Sequence, residues 1–125
     1  MKFSLWCILI AGILPYVSAG IAKSGFKDFD NNNPRAWLAQ QTGFRARANA
    51  AQQNSFEAFP FFAVVVLIAY ILQAPANWVN LLAGLFVAAR IGFIYCYVTD
   101  KASLRSICWT IGVICVLGIF VLSVI

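Results

Sequence analysis

Residues 44–62 read FRARANAAQQNSFEAFPFF, a stretch that opens with Arg45 and Arg47, passes through Gln52, Gln53 and Asn54, and carries Glu57 into apolar sequence. No charged residue follows until Arg90. A carboxylate facing acyl chains is costly, so Glu57 at the mouth of such a run calls for a polar partner or a wet cavity. That the run is a membrane span follows from composition. Of 125 residues, 62% are apolar and 10% charged, against about 45–50% and about 25% in soluble domains. A helix needs roughly 20 apolar residues to cross a hydrocarbon core of about 30 Å. Four segments reach that length: 3–21, about 54–72, 79–98 and 107–125. The chain therefore reads as all-α, a single membrane domain over 1–125 built as a four-transmembrane-helix bundle, with almost nothing outside the bilayer.

The N-terminal stretch imitates a secretory signal, with Lys2, an apolar run, and Val17-Ser18-Ala19 as a small-residue cleavage motif. Its length to Ile21, the bulky Tyr16 after Pro15, and Lys23 as a stop-transfer flank favour a retained first helix. Basic residues set the expected orientation. The first loop holds Lys23, Lys27, Arg35, Arg45 and Arg47, the third holds Lys101 and Arg105, and the second, 73–78, holds none. The positive-inside tendency puts loops one and three in the cytoplasm and both termini across the membrane. The net charge of +5 is thereby accounted for by lipid headgroups, and nucleic acid is not an expected partner.

With no histidine in the chain, imidazole metal sites and a histidine general base are excluded, and no metal is expected. The four cysteines, Cys7, Cys96, Cys108 and Cys115, lie in apolar segments without C-x-x-C spacing. They read as small buried hydrophobes.

Asn33 as N-cap and Pro34 at the first helical position predict that the second helix starts before the membrane and runs from about 34 to Leu72, with a kink at Pro60. At about 100° per residue, Gln40, Arg47 and Asn54 follow one another at about 20° steps, with Glu57 about 60° to the side. Gln41, Arg45 and Gln52 form a second stripe, and Gly43, Ala48, Ala50, Ala51 and Ala58 lie between. Small residues let neighbouring membrane helices approach while polar side chains find partners across the contact. Arg90 lies about 12 Å inside the third span, too deep to reach water easily. It should face the bundle, pairing with Glu57 or lining a wet cavity. Trp78 suits one membrane interface, and Trp37 and Trp109 the other. A cytoplasm-facing pocket rimmed by Arg35, Arg45, Arg47 and Arg105, with Glu57 and Arg90 deeper, suits a small polar anion meeting an apolar partner from the bilayer.

The patterns NPRAWLAQQTGFRARANAAQQNSFEAFPFF (33–62) and ARIGFIYCYVTDKASLRS (89–106) resemble the MAPEG family, the membrane-associated proteins in eicosanoid and glutathione metabolism, in particular its bacterial branch. The most specific part is Asn54-x-x-Glu57-x-x-Pro60, supported by Arg47 and Gln52; Arg90, Tyr97 and Arg105 look like the family's arginine, tyrosine and helix-four arginine. The resemblance implies a homotrimer in a bacterial inner membrane that binds glutathione, as co-substrate, between subunits. It also implies transfer of glutathione to lipophilic electrophiles, or reduction of hydroperoxides. Arg105 would stabilise the glutathione thiolate, and Arg47, Gln52, Asn54, Glu57, Arg90 and Tyr97 would bind the tripeptide, Glu57 taking its ammonium group. Two departures stand out. Ala50 occupies the place seven residues before the glutamate where glutathione-binding members commonly carry arginine, and the Tyr97 to Arg105 spacing is one residue longer than in the leukotriene-C synthase pattern. A non-enzymatic lipid-binding or scaffold protein of the same fold is the alternative. A transporter is disfavoured because Arg90 alone lies deep in a span.

Overall fold

The computed structural model describes residues 1–24 and 30–125; Lys27, counted above among the basic residues of the first loop, lies outside them. The described chain is all-helical: α1 (Lys2–Lys23), a short α2 (Pro34–Ala39), α3 (Gly43–Ile71), α4 (Ala76–Val98) and α5 (Ala102–Val124). All but α2 are long and apolar enough to cross a membrane.

The long second helix expected from residue 34 is instead two helices. Pro34 does occupy the first turn of α2, but the amides of Gln40 and Gln41 turn back to the carbonyls of Trp37 and Leu38 and close the helix. Thr42 is extended, and Gly43 starts α3 with φ +63°, a left-handed conformation open to glycine at little steric cost. Gln40 and Gln41 are therefore not on the helix that carries Asn54 and Glu57. Past this break, α3 continues as one α-helix through Pro60.

Adjacent long helices run antiparallel. Between α4 and α5 a single register joins Gly92 to Cys108, Phe86 to Gly112 and Leu82 to Gly118, with the three glycines admitting close approach. Both α3 and α4 end the same way. The amide of Ala74 bonds to Ala69 O at 2.9 Å and that of Lys101 to Cys96 O at 2.8 Å, across left-handed Gln73 (φ 55°) and Asp100 (φ 61°). Each is a Schellman closure whose left-handed position would suit glycine. A left-handed residue costs roughly 1–2 kcal/mol, less for Asp, and glycine's extra unfolded-state freedom returns up to about 1 kcal/mol. Asp100→Gly should therefore raise stability by about 0.5 kcal/mol. A lower thermal midpoint in detergent would contradict this account of the turn.

On α1 the buried positions Ser4, Cys7, Ala11, Leu14, Ser18 and Ala22 recur at intervals of three or four residues and form one stripe against α3 and α4. Ser18 donates its hydroxyl to Ala48 O on α3 at 2.6 Å, and Asn80 on α4 accepts from the Ser4 amide at 3.2 Å. Ser18→Ala removes the first of these bonds at a cost of about 0.6 kcal/mol, the average for hydrogen bonds between membrane helices. Differential denaturation in mixed micelles measures it, and no loss would mean that the bond is not retained in solution. The main core gathers Cys7, Ala11, Val65, Val66, Val79 and Ile119 around Phe62, whose ring stacks on Phe86 at 4.0 Å between centroids. Trp37, assigned from sequence to the membrane interface, is buried with Ala22, Leu38 and Ala48. Large side chains such as Trp6, Leu9, Ile13, Leu81, Leu85 and Ile114 face outward, as lipid contact requires.

Candidate functional site

The end of α1, the start of α3 and the α4–α5 turn lie at the same end of the bundle, because Ile21 and Val98 both pack against the cluster of Ala22, Trp37, Leu38 and Ala48. Two of the arginines expected to rim a pocket there hold backbone instead. Arg45 donates to Ser24 O at 2.7 Å. Arg47 donates from Nε and Nη2 to Val98 O at 3.2 and 3.1 Å, placing a cation where the α4 dipole is negative. Arg35 is exposed on α2.

Below this end, α3, α4 and α5 line an open-sided cavity of about 310 Å³, within the usual range for small-molecule sites. Asn54, Glu57 and Arg90 form its polar part, and Phe61, Val113, Val116 and Leu117 contribute to its apolar wall. Arg90 is 3% exposed. Its Nη2 donates to Asn54 Oδ1 at 2.8 Å and to Ser55 Oγ at 3.3 Å, and its guanidinium lies 4.2 Å from the centre of the Phe93 ring. Of the two expectations for Arg90, the shared cavity is observed, and no ion pair to Glu57 is found among the described residues. Glu57 lines that cavity and is exposed on the protomer surface.

A second cavity of about 440 Å³ is lined by Asn54, Phe93, Tyr97, Arg105, Ser106, Trp109 and Thr110. Asn54 and Trp109 line both spaces, so the two are neighbours along one groove. Its wall on α4 is a column: Arg90 over Phe93, Phe93 edge-on to Tyr97 at 5.5 Å, and Arg105 of α5 4.4 Å from the centre of the Tyr97 ring. Positions 90, 93 and 97 share one helix face by their spacing.

Of the residues singled out from sequence, Asn54, Glu57, Arg90, Tyr97 and Arg105 meet in this groove. Arg47 and Gln52 line neither cavity. Phe93, Ser55 and Trp109 were missed. Phe93, three residues after Arg90 and four before Tyr97, and Trp109, one turn after Arg105, could have been found from helical spacing.

The MAPEG family model matches residues 3–125. The chain belongs to the MAPEG family. No curated protein and no solved structure matches it. As a MAPEG protein with four apolar spans, it is a multi-pass membrane protein of the family associated with glutathione and eicosanoid metabolism. What its groove offers chemically is a cation beside a tyrosine, a buried arginine that orients an asparagine, and a carboxylate at the edge of an apolar space. The MAPEG chain thus sets cationic and amide side chains directly against an apolar wall.

Proposed function

We propose that the protein is a glutathione-dependent transferase or peroxidase acting on lipophilic electrophiles or hydroperoxides. The observation that carries this reading is the groove itself, in which the polar space beside Arg105 and the apolar space beside Phe61 share Asn54 and Trp109. Glutathione presents two carboxylates, an ammonium group and a thiol. Arg105 faces the thiol and favours its ionised, nucleophilic form, which lowers its pKa from about 8.5. Glu57 takes the ammonium group. Tyr97 and Asn54 donate to the tripeptide, and Arg90 holds Asn54 so that its amide nitrogen is left for the ligand. The lipophilic partner lies along Val113, Val116 and Leu117.

One protomer brings two cations, Arg90 and Arg105, to this groove, and Arg90 is already engaged by Asn54 and Ser55. A thiolate and two carboxylates ask for more positive charge. This supports a homotrimer with the ligand between subunits, in which a neighbour supplies Arg47 or Gln52. Gln52 is about 140° around α3 from Glu57 and so is turned away from its own groove. The basic end of the bundle is cytoplasmic, where glutathione is dissolved, and both termini lie across a bacterial inner membrane.

Calorimetry on the purified protein tests the reading. Binding of glutathione in the millimolar range or tighter, with thiolate absorbance appearing on binding, is expected. Absence of both at millimolar glutathione rejects it. The second reading, a non-enzymatic lipid-binding protein, is favoured by Ala50 and the apolar wall, and predicts lipid that co-purifies without any turnover of chlorodinitrobenzene.

A further inference from the structure

Ser55 carries an unspent donor. Its side chain is 4% exposed and its Oγ accepts from Arg90 Nη2, yet its own hydroxyl proton meets no acceptor among the described residues. Thr110 and Ser123, also inside helices, give theirs to the carbonyl four residues back. Arg90 is in the same position. Asn54 and Ser55 both engage Nη2 and the Phe93 ring covers the guanidinium face. A guanidinium carries five N–H donors in its plane, and those of Nε and Nη1 have no acceptor among the described residues. A buried donor left unmatched costs more than an ordinary hydrogen bond returns. Both side chains line a further space, of about 10 Å³, between α1, α3 and α4. Ala11 and Leu14 of α1 and Phe86 of α4 are buried members of its wall. Ser55 lines neither cavity of the groove, so this space is where its hydroxyl can find a partner.

We propose that this space binds one structural water molecule, which accepts from the Ser55 hydroxyl and from an N–H of Arg90. Size and chemistry both select water. The volume is at the lower edge of the roughly 10–15 Å³ that one water needs, and it is too small for a carboxylate or a phosphate. The two side chains that line it bring donors and want an acceptor, which an ammonium group is not, and an apolar occupant would leave both donors unmatched. Two strong partners lie at the low end of the two to four that internal waters make, and the rings of Phe59 and Phe86 in the wall offer weak acceptors to the water's own protons. Bound there, the water bridges α3 to α4 on the side of Arg90 that faces α1, while Asn54 holds the guanidinium from the groove. No ligand in the groove takes part, so this site stands or falls apart from the function proposed above.

Crystals of the full-length protein grown from a lipidic phase, diffracting far enough to show ordered water, give the direct test. Density is expected within about 2.7–3.2 Å of both Ser55 Oγ and a nitrogen of Arg90, beside Ala11. Its absence with both side chains ordered overturns the proposal, and this reading depends on no variant. Two substitutions at Ala11 probe the same site in solution. Ala11→Ser brings a hydroxyl into the space in the water's stead, whereas Ala11→Val fills it with methyl groups that accept from neither donor. Ala11→Ser is expected to melt about 4 °C or more above Ala11→Val in one detergent, and the gap is expected to shrink when Ser55→Ala removes one of the donors. A dry apolar space predicts the reverse order, because methyl groups fill it and a buried hydroxyl finds no partner. Ala11→Val melting at or above Ala11→Ser, or a gap that Ser55→Ala leaves unchanged, overturns the proposal as well.

Discussion

Arg105→Ala is expected to lower glutathione conjugation of chlorodinitrobenzene by roughly 10- to 30-fold at pH 7, and to lose most of that deficit by about pH 9.5. The ceiling follows from ionisation. A thiol of pKa about 8.5 is a few per cent thiolate at pH 7, so a cation that ionises it completely can raise the reactive fraction about 30-fold. Lowering the pKa also weakens the nucleophile, with a Brønsted slope of about 0.4–0.5, which keeps the net effect at or below that ceiling. The sign is fixed. The cation lowers the thiol pKa, so its benefit is present below about pH 8.5 and disappears above, where the free thiol ionises unaided. Arg105→Lys, which keeps the charge and loses the planar face that lies on Tyr97, should recover part of the rate. A deficit equal at every pH would assign Arg105 to positioning rather than to ionisation, and no deficit at all would remove it from the chemistry.

Much of the architecture was legible because burial in lipid constrains sequence strongly. A helix must satisfy its own backbone across the bilayer, so four long apolar runs can hardly become anything else. The break between α2 and α3 was not legible from periodicity, since a glycine is tolerated inside helices and only its φ of +63° marks Gly43 as a turn. Thr42-Gly43 was the available signal. Arg45 and Arg47 illustrate a different limit. Their positions beside the membrane were readable, but whether they meet a ligand or a carbonyl depends on which helix end comes alongside, and Ser24 and Val98 are 21 and 51 residues distant. Opposite charge made Glu57 the natural partner for Arg90. One turn of helix earlier, Asn54 and its neighbour Ser55 stand closer to Arg90, and a neutral amide and a hydroxyl satisfy the cation.

That substitution of partners has the largest expected consequence for stability. Asn54→Leu takes from the 3% exposed Arg90 its 2.8 Å acceptor and leaves the 3.3 Å bond to Ser55. Hydrogen bonds to charged groups contribute about 1.5–3 kcal/mol, and a buried charge left short of acceptors incurs its desolvation penalty as well. Arg90→Met keeps a long apolar side chain over Phe93 and removes the charge, so the remaining Asn54 amide, half-buried beside the cavity, can turn to water. Replacing a buried polar pair by apolar groups of similar volume is often nearly neutral. The expected order is therefore Asn54→Leu least stable, Arg90→Met intermediate, and the double variant more stable than Asn54→Leu alone, with a coupling of about 0.5–3 kcal/mol. Thermal midpoints in one detergent give the cycle. If the double variant instead shows the sum of the single losses, Arg90 is not satisfied through Asn54, and the asparagine is not held with its amide nitrogen toward the groove.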